Sequence, residues 1–242
     1  MCGKSQKISL IRRRRDAAWW AVSGESVFSS SPHLSYGRAI SEKGHERVTP
    51  KTIATRLLDV IDNDILPLTE RGVALGNKVF GAAILRKADL SLVLAETNNE
   101  LENPLWHGEV HTLKRFYEMA ERPDPRELIF LSTHEPCTMC MSAITWAGFD
   151  NFYFFFSHED SRDAFAIPHD LKILKEVFGL EPGGYNRQNA FWKSFAISEM
   201  ADTEEEKLRA ELHERINAIK ARYDALSESY QQSKSDNGIP LN

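Results

Sequence analysis

Ile53, Leu57, Leu58, Ile61 and Ile65 recur at helical spacing behind Thr49-Pro50 and predict an amphipathic helix at the start of a folded body. Phe80 to Leu85 and Leu90 to Leu94 are strand-length apolar runs joined by a short turn. After the Asn103-Pro104 break, Val110, Leu113, Phe116 and Tyr117 return to helical spacing. Leu128 to Leu131 predicts a short strand. Ala143, Ile144 and Ala147 share one face of a helix that Gly148 stops. Phe152 to Phe156 reads as a buried aromatic strand, and Pro168 to Phe178 and Asn189 to Ile197 as two more helices, with Gly183-Gly184 breaking the chain between them. The order is helix, two strands, helix, strand, helix, strand, helix. Alternation after an opening antiparallel pair predicts an α/β fold, a mixed sheet with parallel later crossovers and helices on both faces.

Residues 203–231 follow another pattern. Leu208, Leu212, Ile216, Ile219, Tyr223, Leu226 and Tyr230 recur at three and four with charge between them, an amphipathic helix that packs either on its own domain or against a second copy in a homodimer. The chain therefore divides into a leader over 1–47, a domain over 48–200, a C-terminal helix over 201–235 and a tail over 236–242.

Composition narrows the function classes. The 242 residues are 42% hydrophobic, enough for a core, and no apolar run reaches the length of a membrane span. Lys4, Lys7 and Arg12 to Arg15 face only Asp16 in the first sixteen residues, so the rest is more acidic than the formal net charge of −5. An acidic body suits a small molecule better than a polyanion, because phosphate contacts need Lys and Arg. The Arg12–Arg15 run reads as a disordered leader, a nucleic-acid tail, a nuclear signal or part of an organellar transit peptide. With only three cysteines, a reducing, cytoplasmic setting is expected.

Chemistry concentrates in His107-Gly108-Glu109 and Pro136-Cys137-Thr138-Met139-Cys140. His107, Cys137 and Cys140 are zinc-ligand types, and three protein ligands leave the fourth position of a catalytic zinc for water. His111, four residues after His107 on a shared helix face, could instead close a structural site, but Glu109 would then have no task. Glu109 beside the metal is placed to take a proton from water and pass it on. His107 and Glu109 fall in the first turn of one helix, and Pro136 suits position N1 of another, whose single face carries Cys137 and Cys140. Alone, the cysteine pair also fits a redox motif or helix core.

Together the two halves are the signature of zinc-dependent base deaminases. Leu105 to Leu113, Ser132 to Ile144 and the strand that follows resemble the cytidine/deoxycytidylate deaminase superfamily, in its branch with tRNA adenosine, cytosine and guanine deaminases. The resemblance covers about residues 50–200 and implies a three-layer α/β/α fold on a roughly five-stranded mixed sheet, a zinc cofactor and hydrolytic deamination. Trp146-Ala147 and Ser157-His158-Glu159-Asp160 are similar to bacterial guanine deaminases, whereas Gly108 is similar to fungal cytosine deaminase. The resemblance implies that Asn98 or Asn99 contacts substrate, against a reading as turn residues. It implies that Asp170 reads the base, against a helix-start role, although Ile167-Pro168-His169 departs from the family's stretch. Trp146 lines the pocket or packs in the core, and Phe191-Trp192 covers the site or packs. The Cys137 main-chain N–H is a candidate oxyanion donor. The expected substrate is a free base or nucleoside, guanine-like first; the alternatives are tRNA adenosine or cytosine deamination and a non-catalytic zinc-binding module.

Overall fold

A computed structural model describes residues 50–180, 184–236 and 238–240. The leader over 1–47, its arginine run and Gly183 lie outside the described residues. The first apolar stripe forms α1 (Pro50–Val60), which continues through a π-helical turn over Ile61–Ile65 into α2 (Leu66–Ala74). The wide turn has a cause in Pro67, which lacks the N–H of a regular turn and sits at the start of α2. The Leu66 N–H accordingly reaches back to the Ile61 carbonyl.

The strands are β1 (Gly81–Arg86), β2 (Leu92–Thr97), β3 (Leu128–His134), β4 (Asn151–Phe156) and β5 (Lys193–Ala196), joined in the order β2-β1-β3-β4-β5. β1 pairs antiparallel with β2 and β3, while β3–β4 and β4–β5 are parallel. The helices are α3 (Gly108–Glu118), α4 (Thr138–Trp146), α5 (His158–Asp163), α6 (His169–Phe178), α7 (Ile197–Asp202) and α8 (Glu206–Ser233). One sheet face buries Leu57, Leu58, Ile61 and Ile65 with Ile216, Ile219 and Tyr223 of α8. The other buries Leu113 and Phe116 of α3 and Met141 and Ile144 of α4 against Phe130, Phe152 and Phe154. Two buried faces make the three-layer α/β/α architecture.

Two sequence expectations change, and one open alternative narrows. Asn189 to Ile197 is not a helix: it ends in edge strand β5, because Trp192, Ser194 and Ala196 turn inward at period two while Lys193 stays exposed. Pro136 is not the first helical residue, since Cys137 is the N-cap of α4. The C-terminal stripe lies on its own body, where Leu212, Ile216, Ile219, Tyr223 and Tyr230 join the core and Arg222 pairs with Asp62 and, at 2.8 Å, Glu70. Among the described residues no helix is long and apolar enough to cross a membrane.

Candidate active site

The site lies where α3 and α4 begin, at one end of the sheet. Gly108 permits the approach of α3: a Cβ there would lie 2.8 Å from the Gly81 Cα on β1. The Gly108 N–H donates to the Asn98 side-chain oxygen, and Thr112 Oγ1 donates back to the Gly108 carbonyl at 2.7 Å. His107 is thereby held as the N-cap residue of α3, with Glu109 one position past Gly108 in the first turn. On the facing side, Glu135 fixes the turn into α4. Its carboxylate accepts from the His158 N–H at 3.0 Å and from the Tyr185 hydroxyl.

These two helix starts bring His107, Cys137 and Cys140 into one set. The sulfurs are 3.4 Å apart, and Nδ1 of His107 lies 3.6 Å from Cys137 Sγ and 3.8 Å from Cys140 Sγ. Zinc bonds to two sulfurs and one nitrogen at tetrahedral angles imply S···S of about 3.8 Å and S···N of about 3.6 Å. The donors therefore fit zinc within a few tenths of an ångström. His111 is not in the set; its Nδ1 lies 2.9 Å from the Thr97 carbonyl and its ring stacks on Trp106. Nε2 of His107 points away from the sulfurs to Glu100 Oε1 at 3.6 Å, a carboxylate behind the imidazole of the kind that orients metal-bound histidines.

The charges in the set are strongly coupled. The Cys137 thiol is held well below its usual range by a hydrogen bond from Cys140, which outweighs burial with help from the His107 imidazole. Burial pushes Cys140 well above that range, and the bond to Cys137 and the charge of Glu109 add to it. Burial would lower His107, but the hydrogen bond and charge of Cys137 prevail and raise it to about 9. Without metal, Cys140 and His107 hold protons at neutrality, and zinc must displace both.

Glu109 is buried and stands beside this set. Its Oε1 accepts from Ser132 Oγ at 2.9 Å and its Oε2 lies 3.4 Å from Cys140 Sγ. Burial first, then the Cys137 thiolate, raises its carboxyl to about 7, where a proton shuttle works best near neutrality. The Cys137 N–H has no acceptor among the described residues.

A cavity of about 320 Å³ opens onto Glu109, His107 and Cys137, with Phe80, Leu105, Met139, Ile167 and Ile173 as apolar wall. Asp170 lines it, its carboxyl raised to about 6 by burial and by Cys137. Other expected contacts are elsewhere. Trp146 is 92% exposed in a shallow groove with Tyr117 and Lys114 on the outer face, because it ends α4 while the site lies at the helix start. Asn98 is buried but committed, its amide donating to Glu100 at 2.7 Å and its oxygen taken by Gly108. Asn99 donates to Glu102 at 2.7 Å in the following turn, away from the cavity. Trp192 packs in the core, its indole N–H donating to Thr145 at 2.8 Å, and Phe191 faces solvent.

Sequence reasoning missed Lys78, Glu100 and His134, all at the cavity wall. Lys78 and Glu100 flank the β1–β2 pair, and charged residues at both ends of an apolar hairpin were the available signal. His134 is buried among Phe80, Phe156, Phe165 and Tyr223, and burial lowers it well below the usual histidine range.

Residues 65–156 match the family described as the cytidine and deoxycytidylate deaminase zinc-binding region. No curated protein matches the chain. Among solved structures, guanine deaminase from Nitrosomonas europaea is similar at 16% identity over 72% of this chain and 85% of that one, with a TM-score of 0.40. Guanine deaminase from Bacillus subtilis is similar at 24% identity over 56% and 85%, with a TM-score of 0.42. A tRNA:A34 deaminase is similar at 16% identity over 61% and 99%, with a TM-score of 0.37. Identities this low leave the substrate to be argued from the pocket.

Proposed function

With residues 65–156 making this chain a member of the cytidine/deoxycytidylate deaminase superfamily, we propose that it hydrolyses the exocyclic amine of a free nucleobase or nucleoside, guanine-like bases first. The observation that carries the reading is the buried Glu109 carboxyl, poised near pH 7 and 3.4 Å from a ligand sulfur at the cavity floor. A non-catalytic zinc module has no use for such a group.

Zinc supplies Lewis acidity that brings the pKa of water toward ~7. His107 and the two cysteines would hold the ion, and Glu100 keeps the His107 ring turned so that Nδ1 faces the two sulfurs. Glu109 takes a proton from the attacking water and gives it to the ring nitrogen beside the amine-bearing carbon, then takes the remaining proton from the new hydroxyl and delivers it to the departing amine. Water is consumed, ammonia leaves and a carbonyl replaces the amine. Ser132 holds Oε1 so that Oε2 does the transfer, and the Cys137 N–H faces the oxygen on which charge grows. Asp170 accepts from the ring N–H and amine donors that a guanine-like base presents.

A free base or nucleoside is favoured over a nucleotide or RNA by the charges at the cavity. Lys78, the only lysine or arginine at its wall among the described residues, is already paired with Glu100, leaving no unpaired cation for a phosphate. Ammonia release from guanine, cytosine, adenine, their nucleosides and tRNA tests the reading. Release from a base or nucleoside is expected; turnover of tRNA alone would sink it.

A further inference from the structure

Lys78 is a cation held inside the cavity wall. Its residue is 6% exposed, and Nζ donates to Glu100 Oε1 at 3.0 Å. An ammonium carries three donors. Glu100 is its one acceptor among the described residues, which leaves two of its N–H groups without a partner among them. Buried donors without acceptors are costly, and such groups in native structures meet a ligand or water. A purely structural cation for Glu100 needs one donor and no place at a cavity. Lys78 lines the cavity that holds Glu109 and Asp170, and its charge is felt at both His169 and Asp170.

The ligand groups that suit these donors follow from the charges. Lys78 and Glu100 together are neutral, so the free N–H groups face the cavity as a dipole and not as a net positive charge. That selects an uncharged acceptor over a phosphate or carboxylate. A ring oxo group, with two lone pairs, can take both N–H groups; an unsaturated ring nitrogen offers one. Asp170 on the same wall asks for donors, which an amino-oxo heterocycle carries beside its carbonyl.

We propose that Lys78 is a specificity-determining residue that donates to the oxo group of the bound ring, making amino-oxo heterocycles, of which guanine and cytosine are examples, the substrate class in preference to amino heterocycles without an oxo group. The proposal rests on the deaminase reading above and narrows it.

Ligands with and without the oxo group test it, guanine against 2-aminopurine and cytosine against 4-aminopyrimidine; loss of the oxo group also removes a ring N–H, so the Lys78 variants below isolate the part that Lys78 plays. Binding is measured by calorimetric titration of the full chain with excess zinc, in a Glu109→Gln background so that no ligand is consumed. A buried hydrogen bond to a charged donor predicts that the oxo member of at least one pair binds roughly ten- to hundredfold tighter. Lys78→Met alone leaves Glu100 buried without its cation, so the deciding variant is Lys78→Met with Glu100→Gln, which removes both charges. In it the preference should fall to within about threefold, while Lys78→Arg should keep part of it. Equal binding of both members, binding of neither in either pair, or an undiminished preference in the double variant overturns the assignment. The deaminase reading fails separately: it falls if the unmodified protein releases ammonia from no base or nucleoside, and stands if another base is deaminated while the oxo preference is absent.

Discussion

Glu100 Oε1 lies 3.6 Å from Nε2 of His107, on the opposite side of the imidazole from the two ligand sulfurs. The same carboxylate accepts from Lys78 at 3.0 Å and, through Oε2, from Asn98 at 2.7 Å. Asn98 in turn receives the Gly108 N–H at the start of α3. One buried carboxylate therefore links the metal ligand, the cavity cation and the position of the helix that carries Glu109. Glu100→Gln should weaken zinc binding roughly ten- to a hundredfold, the usual effect of losing a partner behind a metal-bound histidine. Competition against a fluorescent chelator reads it; unchanged affinity means the ring needs no such support.

Zinc affinity should fall as pH falls. His107 is raised to about 9 and Cys140 is raised above the ordinary thiol range, so both carry protons at neutrality without metal, while Cys137 is lowered by its hydrogen bond from Cys140. Binding releases both protons, and each released proton makes affinity change about tenfold per pH unit. Between pH 8 and pH 6 the apparent affinity should drop by roughly a hundredfold per unit. Removing zinc should lower the melting temperature by an amount that depends on free metal. A pH-independent chelator competition contradicts the coupled charge state.

Replacing Glu109 separates catalysis from stability. Glu109→Gln should keep zinc and lose roughly 10²–10⁴ in turnover, the usual worth of a positioned proton shuttle. Its effect on stability has the opposite sign. The carboxyl is raised from 4.5 to about 7 because burial disfavours its charge. Folding is therefore unaffected by ionisation below about pH 4.5 and is increasingly opposed by it as pH rises through 7. Zinc-free Glu109→Gln should melt higher than the unmodified chain at pH 8 and equally at pH 4. Lower melting at pH 8 would show that the carboxylate stabilises the fold.

The parts legible in the sequence are those built from local pattern. β1, β3 and β4 are apolar runs, and the starts of α3 and α4 announce themselves because both halves of the metal set are short motifs. β5 was hidden because α7 begins at Ile197 without a break, so the apolar positions of a short edge strand and a helix merge into one window. Lys78 and Glu100 are 22 residues apart and meet only once β1 and β2 pair, so no local period marks them. Trp146 was read as pocket or core from its neighbours in sequence, yet α4 carries it outward. Trp146→Ala should accordingly leave turnover and stability nearly unchanged, whereas Ile216→Ala on α8 should cost about 2–4 kcal/mol through the cavity it leaves in the core. Chemical denaturation of both variants checks the contrast.

The acceptor role proposed for Asp170, which lines the pocket, carries a pH dependence. It sits in the first turn of α6, half-buried at the cavity wall, and burial first, then the Cys137 thiolate, raises its carboxyl from 3.8 to about 6. An acidic residue in a first turn also suits the helix dipole, and that role alone would leave it indifferent to what the cavity holds. The two roles differ in their dependence on pH. As a base reader it must be ionised to accept ring N–H and amine donors, so guanine binding should be constant above about pH 6 and weaken about tenfold per unit below it. Asp170→Asn keeps a carbonyl acceptor but presents an NH₂ group where a second acceptor is needed. It should lose roughly ten- to a hundredfold in kcat/KM on a guanine-like substrate, equivalent to about 1–3 kcal/mol, with zinc content unchanged. The same substitution should flatten the pH dependence of binding below 6, which a helix-start role cannot do. Ligand titrations at pH 5, 6, 7 and 8 on the unmodified chain and on Asp170→Asn measure both effects; parallel pH profiles for the two proteins would return Asp170 to a helix-start role and remove its part in base recognition.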